Sequence, residues 1–202
     1  MGPFFALGAG LAVLSGGMGW GALFVILTGA CDVLDGQLAK VQNSVTRFGT
    51  LLDATMDRVS EGFIYLGFLG YFGFRGEPAH AFFAYVSLVG SYLVSYVRAR
   101  AELHVQSLTA GFWERPERLV FLILALAAGR PDRAVLVLAF FAPLTALQRV
   151  FVAWEAIEGR PCFWASWRGP LGALGKVLFW NYKRYSWQYD AYCMVAVLVV
   201  FL

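Results

Sequence analysis

Six apolar segments constrain the fold of this chain more than any other feature of its sequence. Glycine, proline or charged residues separate them, and they span about residues 3–15, 20–41, 48–74, 79–101, 117–129 and 134–154. A helix of about 20 apolar residues crosses the hydrocarbon core of a bilayer. In lipid, every backbone polar group must be satisfied within the protein, and a helix achieves this locally. The pattern predicts an all-α, polytopic integral membrane protein with six transmembrane helices.

The composition supports this class. Of the 202 residues, 59% are hydrophobic and only 14% are charged, and the mean hydropathy is +0.64, which excludes an ordinary soluble domain. The net charge of +3 does not form a basic patch on a soluble scaffold, so no nucleic-acid partner is expected. The first segment is short and has no basic region before it. We expect no removable signal peptide, and a first helix that is either tilted or preceded by further residues.

The positions of lysine and arginine predict the orientation, because cytoplasmic loops are enriched in these residues. One side of the predicted membrane carries only Arg75, Arg130 and Arg133. The other side carries all the remaining basic residues, namely Lys40, Arg47, Arg58, Arg98, Arg100, Arg115, Arg118, Arg149, Arg160, Arg168, Lys176, Lys183 and Arg184. We therefore expect a multi-pass protein of the cell (inner) membrane in which the second side faces the cytoplasm.

The chain divides into two parts by composition. Residues 1–155 contain the six apolar segments and form the predicted membrane domain. Residues 156–202 combine tryptophan and tyrosine with lysine and arginine and end in a further apolar stretch. Such residues favour the headgroup region of a bilayer, so a cytoplasmic, interfacial tail is predicted here.

Four aspartates lie in or beside the second and third apolar segments. Asp32 and Asp35 are three residues apart, and Asp53 and Asp57 are four apart, so each pair shares one face of its helix. Ionisable residues in membrane helices are costly and tend to mark ion, substrate or catalytic sites. The two helices are therefore predicted to present four carboxylates to one point, towards the cytoplasm.

Four negative charges at one point require compensation, because like charges in a low dielectric otherwise force protonation. Hard oxygen ligands suit Mg²⁺, Mn²⁺ or Ca²⁺, and a pair of such ions is a common centre for phosphoryl transfer. We expect two divalent cations, with Mg²⁺ favoured and Mn²⁺ as the alternative. The small residues Gly36, Ala39 and Gly49 beside the acids are consistent with tight helix packing or with close approach of a ligand.

The pattern D-x2-D-G-x2-A-R-x8-G-x3-D-x3-D is that of the CDP-alcohol phosphotransferases, and the chain resembles this family from Asp32 to Asp57. Every spacing matches, and the one departure is Lys40 where the family usually has arginine. Lysine keeps the positive charge but lacks the planar fork for bidentate phosphate contact.

The resemblance implies a set of site residues. Asp32, Asp35, Asp53 and Asp57 would hold the two metals, and Asp57 would also be the catalytic base. The CDP moiety of a lipid donor, CDP-diacylglycerol or its archaeal analogue, would be bound by Gly36, Ala39, Lys40, Thr46 and Gly49. The family resemblance also implies a homodimer among membrane lipids.

Four arginines on the predicted cytoplasmic side are candidates for binding a phosphorylated acceptor: Arg98, Arg115, Arg118 and Arg149. Arginine is favoured for bidentate phosphate recognition. The surrounding strings resemble the branch of the family that makes phosphatidylinositol phosphate or archaetidylinositol phosphate. The alternative is that these arginines are membrane anchors paired with Glu102, Glu114 and Glu117.

The favoured function is the transfer of a phosphatidyl-type group from a CDP-lipid to inositol phosphate, with release of CMP. Glycerol 3-phosphate as the acceptor, or CDP-inositol as the nucleotide substrate, remain alternatives because the aspartate motif does not distinguish them. A cation transporter that uses the aspartates is the alternative from another class, although such sites generally lie near the bilayer midplane.

Overall fold

A computed structural model describes residues 1–41, 46–105, 113–159 and 194. The regular elements of this part of the chain are six α-helices. They are α1 (Gly2–Leu14), α2 (Met18–Val41), α3 (Arg47–Phe74), α4 (Pro78–Ala101), α5 (Arg115–Ala127) and α6 (Pro131–Glu158). Each corresponds to one of the predicted apolar segments, so the all-α prediction is confirmed for the described residues. The predicted tail lies outside them, apart from the end of α6, Gly159 and Met194.

Three tight turns close one end of the helix bundle, between α1 and α2, α3 and α4, and α5 and α6. Each contains a glycine with positive φ, at Gly16 (84°), Gly76 (72°) and Gly129 (68°). Only glycine adopts this backbone region without a steric penalty, so it commonly ends helices. Proline then begins both α4 and α6, where its fixed φ suits the first turn. Short turns make sequential helices antiparallel, so the ends of α2, α4 and α6 lie together with the starts of α3 and α5.

The helices pack in a consistent set of pairs: α1 with α2 and α3, α3 with α4, α4 with α6, and α5 with α2 and α6. The closest approach is between α1 and α3, where a Cβ atom at Gly10 or Gly67 would collide with the backbone of the facing helix. Small residues let helix backbones approach in this way. Phe68, Phe72 and Leu138 lie fully inside the resulting core, at a distance from the aspartates.

Six membrane-spanning helices were predicted, but only three helices among the described residues are long and apolar enough to cross a membrane. These are Met18–Leu38, Pro78–Ala101 and Pro131–Glu158. The prediction of six spans is therefore wrong by this criterion. Helices α1 and α5 have 13 residues each, or about 20 Å of length against a hydrocarbon core of about 30 Å. Helix α3 is long, but its first half is rich in charged residues.

Candidate active site

A single guanidinium group lies between two of the four predicted aspartates. Nη1 of Arg115, in the first turn of α5, lies 2.8 Å from Oδ2 of Asp32 on α2 and 2.7 Å from Oδ1 of Asp57 on α3. Arg58 lies further from Asp57, at 3.7 Å. The three side chains of this Arg115 centre are 17–23% exposed, so water reaches them. Three helices thus bring two carboxylates to one cation.

The other two aspartates lie nearby in sequence but are exposed. Asp35 is one turn beyond Asp32 on α2, and Asp53 is one turn before Asp57 on α3. No group of three or more His, Cys, Asp or Glu side chains is arranged to hold a metal ion in the part of the chain that the structure describes. Convergence of all four aspartates on metal therefore stays a prediction. In the described residues, the side chain of Arg115 on α5 joins the two acidic helices through its contacts with Asp32 and Asp57.

The donor set nonetheless fits a divalent cation. Carboxylate oxygens are the ligands that Mg²⁺ and Mn²⁺ prefer, and two of them from different helices already face one cationic nitrogen at less than 3 Å. Asp35 and Asp53 are accessible on the adjoining turns.

The predicted nucleotide-binding residues lie in the last turns of α2 and at the start of α3. Thr46 is the N-cap of α3, and its hydroxyl accepts a hydrogen bond of 2.9 Å from the backbone N–H of Gly49. A Cβ atom at Gly36 would meet nothing within 4 Å, so this face of α2 is open to a ligand. Ala39 and Lys40 belong to α2, but their side chains lie outside the described residues.

Arg118, a predicted acceptor ligand, is buried in an ion pair. Its Nη2 atom donates to Oε1 of Glu61 on α3 at 2.7 Å, and its Nη1 atom donates to the carbonyl of Trp113 at 3.0 Å. Both side chains of this pair are nearly inaccessible, at 4% and 6% exposure. The Arg118–Glu61 pair therefore fixes the start of α5 against α3.

Arg149 is also buried, and it connects three elements. Its guanidinium donates to the carbonyl of Val94 on α4 at 2.8 Å and to Oε1 of Glu114, just before α5, at 3.1 Å. Arg98 forms an exposed pair with Glu102 at 2.9 Å on the same helix end. Two of the glutamates expected as arginine partners, Glu102 and Glu114, therefore have that role. Of the four predicted acceptor ligands, Arg115 contacts the site aspartates in the described part of the chain.

Glu61 lies on α3, four residues after Asp57. Its partner in the structure is Arg118, far along the chain. The available signal was that a carboxylate in the apolar part of α3 needs a cationic partner, but several arginines could have met that need.

An apolar groove of about 630 Å³ runs between α2 and α5 and reaches the Arg115 centre. Asp32 and Arg115 line it, and Val25 and Ile123 lie further along the two helices. Because α5 rises about 1.5 Å per residue, the groove extends roughly 12 Å from Arg115 to Ile123. Its lining is almost entirely aliphatic beyond the charged residues: Val25, Ile26, Gly29, Ala30, Val33, Leu34, Pro116, Leu119, Val120 and Ile123.

Residues 2–157 match the family model described as CDP-alcohol phosphatidyltransferase. The chain belongs to this family. The match covers all six helices except the last residue of α6, and it confirms the resemblance based on the aspartate motif. It also identifies the chain as a member of a transferase family rather than of a cation-transporter family.

Several curated relatives are phosphatidylinositol phosphate or archaetidylinositol phosphate synthases. A phosphatidylinositol phosphate synthase of Mycolicibacterium smegmatis is 37% identical over 147 residues, which is 67% of this chain and 65% of the relative. An archaetidylinositol phosphate synthase of Methanothermobacter thermautotrophicus is 35% identical over 159 residues, which is 76% of this chain and 79% of the relative. The chain thus spans slightly less than two thirds of the first relative.

Solved structures show the same fold. The Mycobacterium tuberculosis phosphatidylinositol phosphate synthase with CDP-DAG bound superposes with a TM-score of 0.72 at 30% identity, covering 77% of this chain and 83% of that one. The same protein in complex with manganese and citrate gives a TM-score of 0.72, covering 77% and 79% of the two chains.

Proposed function

We propose that this protein transfers a phosphatidyl-type group from a CDP-lipid to the hydroxyl of inositol phosphate and releases CMP. The observation that carries the proposal is the Arg115 centre, where carboxylates of α2 and α3 meet beside an apolar groove. The names of the relatives, phosphatidylinositol phosphate synthase and archaetidylinositol phosphate synthase, support the inositol phosphate acceptor.

The groove between α2 and α5 suits the lipid part of the donor. Its aliphatic length would take an acyl or isoprenoid chain, and its charged end would hold the pyrophosphate beside Asp32. The homologous structure with CDP-DAG bound supports a CDP-lipid as the donor.

The residues for a divalent metal centre are Asp32, Asp35, Asp53 and Asp57. When bound, two such cations would neutralise the pyrophosphate and the charge that develops on CMP. The homologous complex with manganese supports a divalent metal. We propose that this chain uses Mg²⁺ and that Mn²⁺ can replace it.

Asp57 is proposed as the general base. It would take the proton of the acceptor hydroxyl, whose oxygen then forms a bond to the phosphorus on the lipid side of the pyrophosphate. The bond from that phosphorus to the bridging oxygen breaks, and the electron pair leaves with CMP. Gly36, Ala39, Lys40, Thr46 and Gly49 would hold the CDP moiety, for which the open face at Gly36 gives room.

The four arginines are proposed to serve the acceptor in two ways. Arg115 and the exposed Arg98 are accessible for direct contact with its phosphate. Arg118 and Arg149 act through their buried pairs with Glu61 and Glu114, which hold the start of α5 in place.

The site is proposed to face the cytoplasm. All three turns at the opposite end of the bundle are short, and most of the described basic residues lie at the end with the aspartates. A homodimer in the cell membrane remains part of the proposal, based on the family alone.

CMP release tests the function. The purified protein in lipid nanodiscs would receive CDP-diacylglycerol, Mg²⁺ and one acceptor at a time: inositol 1-phosphate, glycerol 3-phosphate, serine or free inositol. We expect CMP and a phosphatidylinositol phosphate product only with inositol 1-phosphate. An equal rate with glycerol 3-phosphate would contradict the acceptor, and turnover of CDP-inositol without a CDP-lipid would contradict the donor.

A further inference from the structure

The guanidinium of Arg115 contacts the two carboxylates that the proposed reaction needs for a metal ion and for the general base. Its Nη1 atom contacts Oδ2 of Asp32 and Oδ1 of Asp57 at 2.8 and 2.7 Å. A metal bound by these two aspartates would use the same carboxylates. A base at Asp57 would also need a carboxylate that this guanidinium does not hold. Arg115 and the bound metal therefore exclude each other at these oxygens.

The backbone around Arg115 is anchored on both sides. The preceding Glu114 pairs with Arg149 at 3.1 Å, and Arg118, one turn later, pairs with Glu61 at 2.7 Å. Arg115 itself is 20% exposed and lies at the rim of the groove. Its long side chain can leave the aspartates by rotation, while the start of α5 stays in place.

We propose that Arg115 is an exchangeable counter-ion that is displaced from Asp32 and Asp57 by the divalent metal and then binds the phosphate of the acceptor. The proposal rests on the function above and adds a consequence to it. Metal binding and acceptor phosphate binding strengthen each other because both depend on the release of one side chain.

Simple electrostatics gives the direction of this coupling. Without metal, Arg115 neutralises two half-buried carboxylates that would otherwise repel each other. With metal bound, the guanidinium is repelled by the cation, and a phosphate offers it a strong, bidentate partner. By linkage, the factor by which phosphate tightens metal binding equals the factor by which metal tightens phosphate binding.

Mn²⁺ binding tests the proposal without any turnover. Free Mn²⁺ would be measured by electron paramagnetic resonance, with the protein in phosphatidylcholine nanodiscs and no CDP-lipid present. The variants are Arg115→Gln, Arg115→Lys and, as a matched loss of charge near the same carboxylates, Arg58→Gln. Each is titrated alone, with inositol 1-phosphate, and with free inositol as the ligand control.

Arg115→Gln removes the competitor, so we expect it to bind Mn²⁺ about tenfold more tightly than the wild type, a typical coupling factor. Arg58→Gln should tighten binding by less than about threefold, because at 3.7 Å its contact with Asp57 is weaker. Arg115→Lys keeps the charge and should stay close to the wild type. Inositol 1-phosphate should tighten Mn²⁺ binding about fivefold or more in the wild type and have no such effect in Arg115→Gln.

Unchanged Mn²⁺ affinity in a folded Arg115→Gln protein would overturn the proposal, as would an equal effect of inositol 1-phosphate in that variant. Should Arg115→Gln fail to fold, the wild-type titration decides, because absence of tightening by inositol 1-phosphate contradicts the coupling. The outcome is separable from the proposed function. CMP release with inositol 1-phosphate, together with an unchanged Mn²⁺ affinity in Arg115→Gln, would reject only the exchange. Tighter Mn²⁺ binding in Arg115→Gln, without any CMP release by the wild type, would reject only the proposed function.

Discussion

Two arginines one turn apart at the start of α5 belong to ion-paired regions of different character. Arg115 joins Asp32 and Asp57 in a centre whose side chains are 17–23% exposed. Arg118 joins Glu61 in a pair whose side chains are 4% and 6% exposed. Both regions join a guanidinium of α5 to a carboxylate of α3 at 2.7 Å, and they differ in their access to water.

The difference in access to water gives the two ion-paired regions different roles. The side chains of the Arg115 centre are partly exposed, so water and ions can reach it. The Arg118–Glu61 pair has no such access, and breaking a buried pair leaves an uncompensated charge in a low dielectric. The Arg115 centre is therefore accessible for the proposed exchange of partners, whereas the Arg118–Glu61 pair holds the start of α5 in position.

The largest expected effect on activity is at the Arg115 centre. Asp57→Asn removes the proposed base and should lower the rate of CMP release by roughly 10²–10⁴-fold, the usual contribution of general base catalysis. Stopped assays of CMP formation from CDP-diacylglycerol and inositol 1-phosphate would measure this. The folded state should be kept, since Asp57 is accessible to water. An active Asp57→Asn protein would show that another group takes the proton.

Loss of one partner of the buried pair should mainly affect stability. Glu61→Gln leaves the Arg118 charge uncompensated, and we expect a cost of about 3–5 kcal/mol in the free energy of unfolding. Reversible SDS titration in mixed micelles would measure it. The double variant Glu61→Leu with Arg118→Met should recover most of the stability, because apolar replacement of a buried pair is often neutral. A cost below about 1 kcal/mol, the range of exposed pairs, would break the distinction between the two regions.

The groove between α2 and α5 offers a test of where the lipid donor binds beside the Arg115 centre. A Cβ atom at Gly29 meets nothing within 4 Å, so Gly29→Leu places a side chain in the groove without a backbone collision. We expect the KM for CDP-diacylglycerol to rise about tenfold, equivalent to about 1.4 kcal/mol of lost binding. Gly19→Leu is the matched control, since its Cβ atom also meets nothing and it does not line the groove. Equal KM values for the two variants would place the lipid elsewhere.

The smallest effect on stability is expected at Arg98, whose pair with Glu102 is 47% and 37% exposed. Arg98→Gln should change the free energy of unfolding by less than about 1 kcal/mol, because exposed pairs contribute little. If Arg98 contacts the acceptor, the KM for inositol 1-phosphate rises while the KM for the CDP-lipid does not. An unchanged KM for inositol 1-phosphate in Arg98→Gln would mean that Arg98 does not contact the acceptor, and Arg115 would be left as the arginine proposed for direct contact.

Local patterns predicted the helices well. The apolar runs at 20–41 and 48–74 correspond to Met18–Val41 and Arg47–Phe74, because hydrophobicity and the glycine and proline breaks act over short distances in the chain. The number of membrane spans was wrong because an apolar run need not be long enough to span a bilayer, as the 13 residues of α1 and of α5 show.

The spacing from Asp32 to Asp57 was sufficient to assign the family, since a motif of this length records a local arrangement on two helices. The roles of the arginines were not predictable in the same way. Arg98, Arg115, Arg118 and Arg149 look alike in sequence, yet one lies at the aspartates, two are buried in pairs and one is exposed. Their partners are distant in the chain, except for Glu102.

The sequence by itself determined an all-helical chain of the CDP-alcohol phosphatidyltransferase family, with its acidic motif on α2 and α3. The tertiary structure alone decided that Arg115 faces Asp32 and Asp57 while Arg118 is held by Glu61. The physical reason is that burial and pairing depend on how α5 packs between its neighbours. One helical turn along α5 separates a charge that water can reach from one that it cannot.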